Sequence, residues 1–260
     1  MGQIRPKHYK RGIKMKKMIK LIGILALIAV LGFAVSCGEP GGGACTTHNF
    51  KWVVTNTTYP ASSTETCIKC KETRGSPRTT QIGDTGPAGG IIFHIVPGGF
   101  NVQGYSGGPA HLNFAAYTAY YLEAAPANEP STAQWGAYGT SIPGVTTFTS
   151  LSVAEASLLG NGRKDTYIIV NHLGTSETGR AAQRCANKSL NGFTDWFLPS
   201  LGELNQLYNN RVAVGNLGTN WYWSSSQNSV NSAWYQGIGS GSRSGGGKES
   251  YGDVRAVRAF

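Results

Sequence analysis

The sequence predicts an α+β fold in which antiparallel strands and a few short helices form one large domain, preceded by a small Cys/His module. Three observations carry this reading. With 36 glycines in 260 residues and only 14% charged side chains, the composition favours turns and short strands over long helices. Asn191 to Leu204, NGFTDWFLPSLGEL, gives turn, strand, stop and helix signals in unbroken succession. Further on, the aromatics of NWYWSSSQNS and SAWYQGI suit two strands joined by a polar turn.

In the central stretch, Asn191-Gly192 is turn chemistry, and Trp196 and Leu198 then point to one face of an extended run with Phe197 on the other. Pro199 ends the run. Ser200 and Glu203 form a capping box, so a helix starts at Leu201 and presents Leu201, Leu204, Leu207 and Tyr208 to a core that Trp196 also enters. Asp195 and Glu203 are accordingly read as turn and cap residues rather than a catalytic carboxylate pair.

The basic excess of the chain lies in its leader. The formal net charge is +10, but eight of the 23 Lys and Arg and none of the 13 acids fall in residues 1–36, so the remainder is nearly neutral and no nucleic-acid footprint remains. Residues 1–36 read as a secretion signal: Lys16, Lys17 and Lys20 precede an apolar run from Leu21 to Val35 that is shorter than the ~20 residues a spanning helix needs. Met15 or Met18 would make a more typical start than Met1. Ala34-Val35-Ser36-Cys37 resembles the lipobox of bacterial lipoproteins, which would make Cys37 the lipidated N-terminus; Ala34 departs from the usual Leu, and an ordinary signal peptide with an unrelated Cys is the alternative. Residues 37–44 have the composition of a flexible tether.

Residues 45–80 form the small module. Cys45 and His48, with Cys67 and Cys70, are two ligand pairs at zinc-ribbon spacing, separated by strand-like residues such as Trp52 to Thr55. Thiolate and imidazole donors on two turns can close a tetrahedral structural zinc site, and so short a segment has little other core. In an oxidising compartment Cys67 and Cys70 can pair instead, leaving Cys45 odd. Catalytic metal is disfavoured, because four protein ligands leave no open position. Arg74 to Thr80 reads as a polar link.

Residues 81–260 form the large domain. Gly83, Gly86 and Gly89 hold a collagen-like period for barely two triplets, so IGDTGPAGGIIFHIV is a turn-rich entry into a strand Ile91 to Val96. Gly98 to Val145 reads as extended segments and long loops carrying Tyr117, Tyr120, Tyr121 and Trp135. His94, His111 and His172 are isolated. Asp165 to Leu173 and Ser176 to Lys188 suit two short helices, the second burying Cys185 as an inert small hydrophobe. Gly237 to Ser250 lacks the spacing of a phosphate-binding loop and reads as a flexible loop between strands. Val254 to Phe260 closes the sheet.

The run DWFLPSLGEL, YWSSS at Tyr222 to Ser226, Trp234 and the closing VRAVRAF together resemble the C-terminal domain of the bacterial collagen-like adhesin (Lcl) family over about Ile82 to Phe260. The resemblance implies a fold of the C-type-lectin and formylglycine-generating-enzyme type, glycan binding as in some members, and no catalytic residues. This chain lacks the family's long collagen stalk. The lectin calcium motif is absent, since Asn128-Glu129-Pro130 has the wrong order, and no Cys follows Cys185 to serve the paired-cysteine chemistry of formylglycine generation. The expectation is therefore a non-enzymatic, lipid-anchored protein of the cell envelope, at the outer membrane or cell surface, that binds a glycan or polysaccharide through exposed Trp221, Trp223, Trp234 and Trp135. A purely structural envelope protein, or less readily an enzyme of the formylglycine-generating type, are the alternatives.

Overall fold

The computed structural model describes residues 48–152 and 158–260, all within the second of two compact units, residues 35–260. The leader, Cys37, the tether and Cys45 lie outside the described residues.

Strand β1 (Phe50–Asn56), β2 (Ser62–Cys67) and β3 (Thr73–Thr79) form an antiparallel sheet in that order. The segment expected to be a polar link is thus mostly strand. Its side chains are nearly all exposed, so no apolar alternation marks it, and only pairing with β2 reveals it. Pro77 suits such an edge position because it has no N–H to offer a further partner. Glu65 and Arg74 stand opposite each other across β2 and β3 and pair at 2.9 Å.

The module is sewn to the larger sheet through its other edge. The Val54 amide donates to the Thr85 carbonyl at 2.9 Å and the Thr85 amide to the Trp52 carbonyl at 2.7 Å. The Ala61 amide donates to Tyr121 Oη at 2.9 Å, and Val54, Ala61, Ile92 and Tyr121 bury one shared apolar cluster. That larger sheet runs in the order β11 (Val257–Ala259), β5 (Tyr117–Ala124), β4 (Ile91–Val102). Strand β4 extends past the expected Val96 because irregularities between Ile95 and Phe100 let pairing with β5 resume beyond Pro97. Strand β5 is one of the extended segments expected between Gly98 and Val145, whose bounds the sequence did not mark. Its residues from Tyr121 to Ala124 are buried on both faces, which erases the period-two signal.

A third sheet, β7 (Trp221–Gln227), β8 (Ser232–Gly237) and β9 (Arg243–Gly247), adjoins a short pair of β6 (Ala133–Gln134) and β10 (Tyr251–Gly252). Strand β9 replaces part of the expected flexible loop. Its glycines serve close packing: a Cβ on Gly246 would come within 2.9 Å of the Tyr235 ring and 3.0 Å of Trp223.

Four α-helices, α1 (Gly162–Leu173), α2 (Ala181–Ala186), α3 (Leu201–Asn209) and α4 (Arg211–Val214), and a 3-10 turn at Ala110–Leu112 complete the described elements. Helix α2 is shorter than expected, since Gly179 at φ 69° and an extended Arg180 precede it. Helix α3 begins as the capping box dictates, with the Ser200 amide donating to Glu203 Oε2 at 2.7 Å and the Glu203 amide to Ser200 Oγ at 3.3 Å. Trp196 and Leu198 enter one core with Trp135 and Trp223, while Phe197 enters another with Phe93, Leu204 and Val257. The central run is therefore the seam between two cores, and the architecture is α+β and mostly β.

Candidate functional site

Two places in this frame bring chemistry-bearing side chains together. The first is the turn from β2 to β3. Cys67 ends β2, its amide donates to the Glu72 carbonyl at 2.7 Å, and the Lys71 amide donates back to the Cys67 carbonyl at 2.9 Å. Lys71 closes the turn at φ 65°, a left-handed conformation that tightens the chain around the two sulfurs. His48 arrives from the residues before β1, in register because the Ile68 amide donates to the Asn49 carbonyl at 3.0 Å. The donor atoms of His48, Cys67 and Cys70 all lie within 4.8 Å of one another, and Cys70 Sγ is 3.5 Å from His48 Nδ1.

Both sulfurs are free thiols, so the Cys67 to Cys70 disulfide is not formed. The Cys67 pKa falls from 9.0 to about 6, chiefly because the Cys70 backbone amide points at its sulfur, helped by the Asn49 and Lys69 backbone and the His48 ring and opposed by burial. A thiolate at neutral pH is the state a metal ligand needs. Three of the four expected ligands thus form a group that could hold a metal ion, and its soft S and N donors fit a tetrahedral ion. Glu72 Oε2, 3.4 Å from His48 Nδ1, is a neighbour that sequence spacing did not suggest.

The second place is the β7–β8–β9 sheet, and here the structure corrects the expectation of four exposed tryptophans. Trp135 and Trp223 are each 1% exposed and Trp234 is 5% exposed. Their indole N–H groups are spent on backbone carbonyls: Trp135 on Ser224 at 2.8 Å, Trp223 on Ala133 at 2.9 Å and Trp234 on Phe148 at 2.8 Å. These rings are core because chain distant in sequence covers them: Trp135 and Trp223 pack with Ala133, Trp196 and Leu198, and Trp234 packs with Phe148 and Leu201. Trp221 differs. It is 36% exposed at the start of β7, stacked on Tyr235 with centroids 4.2 Å apart, and Tyr235 in turn stacks on Trp223 at 5.3 Å. The ladder holds the Trp221 ring in one orientation.

Other buried titratable groups make contacts within the fold. Glu203 is fully buried and accepts from the Gly160 amide at 2.8 Å as well as from Ser200; burial raises its pKa. Asp195 does more than shape a turn, for it grips Arg258 with two contacts of 3.0 Å while Arg258 also reaches Glu123 at 3.0 Å. Cys185 is fully buried, and desolvation pushes its thiol well up, as an inert cysteine requires. Sequence reasoning missed two cations, Arg255 and Lys248, both buried without a carboxylate partner among the described residues. Arg255 donates to carbonyls of Ala125 and Asn216 and to Asn128 Oδ1, pinning three segments at once. Lys248 donates to the Thr140 carbonyl at 2.7 Å and Gln227 Oε1 at 2.9 Å.

No curated protein matches the chain. Among solved structures, a fimbrial protein from Bacteroides ovatus ATCC 8483 is similar at 15% identity with a TM-score of 0.46, the alignment covering 79% of this chain and 58% of that one. The chain therefore spans a little over half the length of that structure. Residues 144–258, from the approach to α1 through β11, match the family model of the Lcl C-terminal domain.

Proposed function

We propose that the protein is a cell-surface binding protein of the adhesin type, lipid-anchored to the envelope through Cys37, whose large domain takes a glycan or polysaccharide. The observation that carries the surface-binding reading is the match of residues 144–258 to the Lcl C-terminal domain. The same resemblance underlies the reading of the domain as C-type-lectin-like. The glycan reading rests on Trp221, whose ring has one face stacked on Tyr235 and more than a third of its surface open to solvent. A sugar ring offers an apolar face of C–H groups to such a surface and polar edges to the hydroxyl-rich chain around it.

The test is a glycan array with the purified protein and its Trp221→Ala variant. Binding to a defined set of glycans that Trp221→Ala loses, with a melting transition lowered far less than in Trp223→Ala, supports the reading. No binding on a broad array, or binding indifferent to Trp221, refutes it in favour of a purely structural envelope role. Mass spectrometry of the protein isolated from membranes checks the anchor: a diacylglyceryl Cys37 at the N-terminus is expected, and any other mature N-terminus refutes it.

Within the same proposal, His48, Cys67 and Cys70 hold a structural zinc ion with Cys45 as the fourth ligand. Zinc would cross-link the end of β2 to the chain before β1, replacing core that this small sheet lacks. Stoichiometric zinc in the purified protein, lost in Cys70→Ser together with thermal stability, is expected. Full stability in the presence of a strong chelator would refute it.

A further inference from the structure

A cleft of about 730 Å³ opens between the small sheet and the large domain, and neither the Trp221 ladder nor the thiol–imidazole turn accounts for it. One wall is β1, which brings Trp52 and Val53; the opposite side brings Ile91 at the start of β4 and Val214 at the end of α4. The size is that of a small-molecule site, and the lining is predominantly apolar. Two cations stand in the lining. Lys51 and Lys71 are exposed and make no ion pair among the described residues, and the Lys71 ammonium has only a long 3.5 Å contact to the Ile68 carbonyl. The acid in the lining, Asp84, is already neutralised: Arg78 pairs with it at 2.6 Å, and Ser63 Oγ at 2.7 Å and the Gln81 amide at 2.9 Å also donate to it.

An apolar trough with two uncompensated ammonium groups and no free carboxylate selects one kind of ligand. We propose that this cleft binds a small amphipathic anion, with its aliphatic or aromatic body against Trp52, Val53, Ile91 and Val214 and its single anionic head between Lys51 and Lys71. Burial of the body supplies affinity, and the lysines discriminate against neutral and cationic amphiphiles of the same shape. The residues involved are separate from those of the glycan reading, so either can fail alone.

The probe is 8-anilino-1-naphthalenesulfonate titrated into the purified full chain, followed by its emission. A saturable rise is expected, reversed by decanoate at far lower concentration than by 1-decanol; decyl sulfate against decanoate then identifies the preferred head group. Lys51→Glu combined with Lys71→Glu should weaken the probe about tenfold or more, as expected for losing two charge contacts and adding two repulsions. Lys51→Arg with Lys71→Arg should retain binding, and Ala213→Trp, which fills the cleft mouth without changing charge, should abolish it. Should the Glu pair alter the melting transition, Lys51→Gln with Lys71→Gln reads the same effect without added acid. Absence of a saturable rise, equal displacement by decanol and decanoate, or undiminished binding in the charge variants overturns the proposal.

Discussion

Asp165 offers a prediction whose sign changes with pH. It lies in the first turn of α1 with no exposed side-chain surface. Oδ1 accepts from the Thr146 amide at 3.2 Å and stands 3.6 Å from Lys164 Nζ, whereas Oδ2 is buried with no hydrogen-bond partner. Burial lifts the carboxyl from 3.8 to about 7, with Lys164 and the Thr146 contact opposing. A displacement of that size disfavours the ionised folded state by ~4 kcal/mol, of which the helix N-terminus returns up to ~1 kcal/mol. Because the folded pKa lies above the unfolded one, the stability present below about pH 4 is lost as pH rises to about 7. Asp165→Asn keeps an acceptor for Thr146 but places an NH₂ where Oδ2 found no partner, which costs ~1 to 2 kcal/mol. Near pH 4 the variant should therefore be less stable than the parent by that amount. At about pH 8 it should be more stable by ~1 to 2 kcal/mol, because it escapes the ionisation penalty. Urea unfolding followed by tryptophan fluorescence at the two pH values measures both differences. An Asp165→Asn variant destabilised equally at both would show that the buried carboxyl is not strained by its charge and would refute the reasoning.

Three further outcomes are expected. Trp223→Ala should cost ~3 to 5 kcal/mol, since it empties the core and orphans the Ala133 carbonyl, whereas Trp221→Ala should cost well under half as much; equal losses in chemical denaturation would remove Trp221 from consideration as a ligand platform. Lys248, whose pKa burial lowers from 10.5 to about 8, is charged in the unfolded chain over a range where the folded protein prefers it neutral. Stability should accordingly climb as pH rises from about 8 towards 10.5, and Lys248→Met should abolish that rise; an unchanged slope would mean that the Thr140 and Gln227 contacts fully compensate the charge. Ser200→Ala removes the acceptor for the Glu203 amide and should cost ~1 kcal/mol by thermal unfolding, with no loss pointing to Glu203 and its Gly160 contact as the dominant anchor.

Local rules were sufficient where one short stretch contains both halves of an interaction. The capping box at Ser200 and Glu203, the inward Trp196 and Leu198, and the inert Cys185 were all legible, because hydrogen-bonding reach along three residues and alternation along a strand do not depend on the rest of the chain. So was the approach of His48 to Cys67 and Cys70, because two donor pairs on two short turns at this spacing can close on one point.

Tertiary structure alone decided which aromatics face water. Trp221 and Trp223 share one strand face and one alternation pattern, yet only Trp223 enters the core with Trp135 and Trp196, in room left by the missing side chains of Gly246 and Gly252. The place of strand β5 among the expected extended segments was unmarked for the complementary reason: burial on both faces removes the polar half of the alternation. Strand β3 was hidden because it has almost no buried half at all. The cleft is the extreme case. Lys51, Lys71, Ile91 and Val214 belong to four separated stretches, and no local signal links them until the Thr85 backbone bonds dock β1 against the large domain.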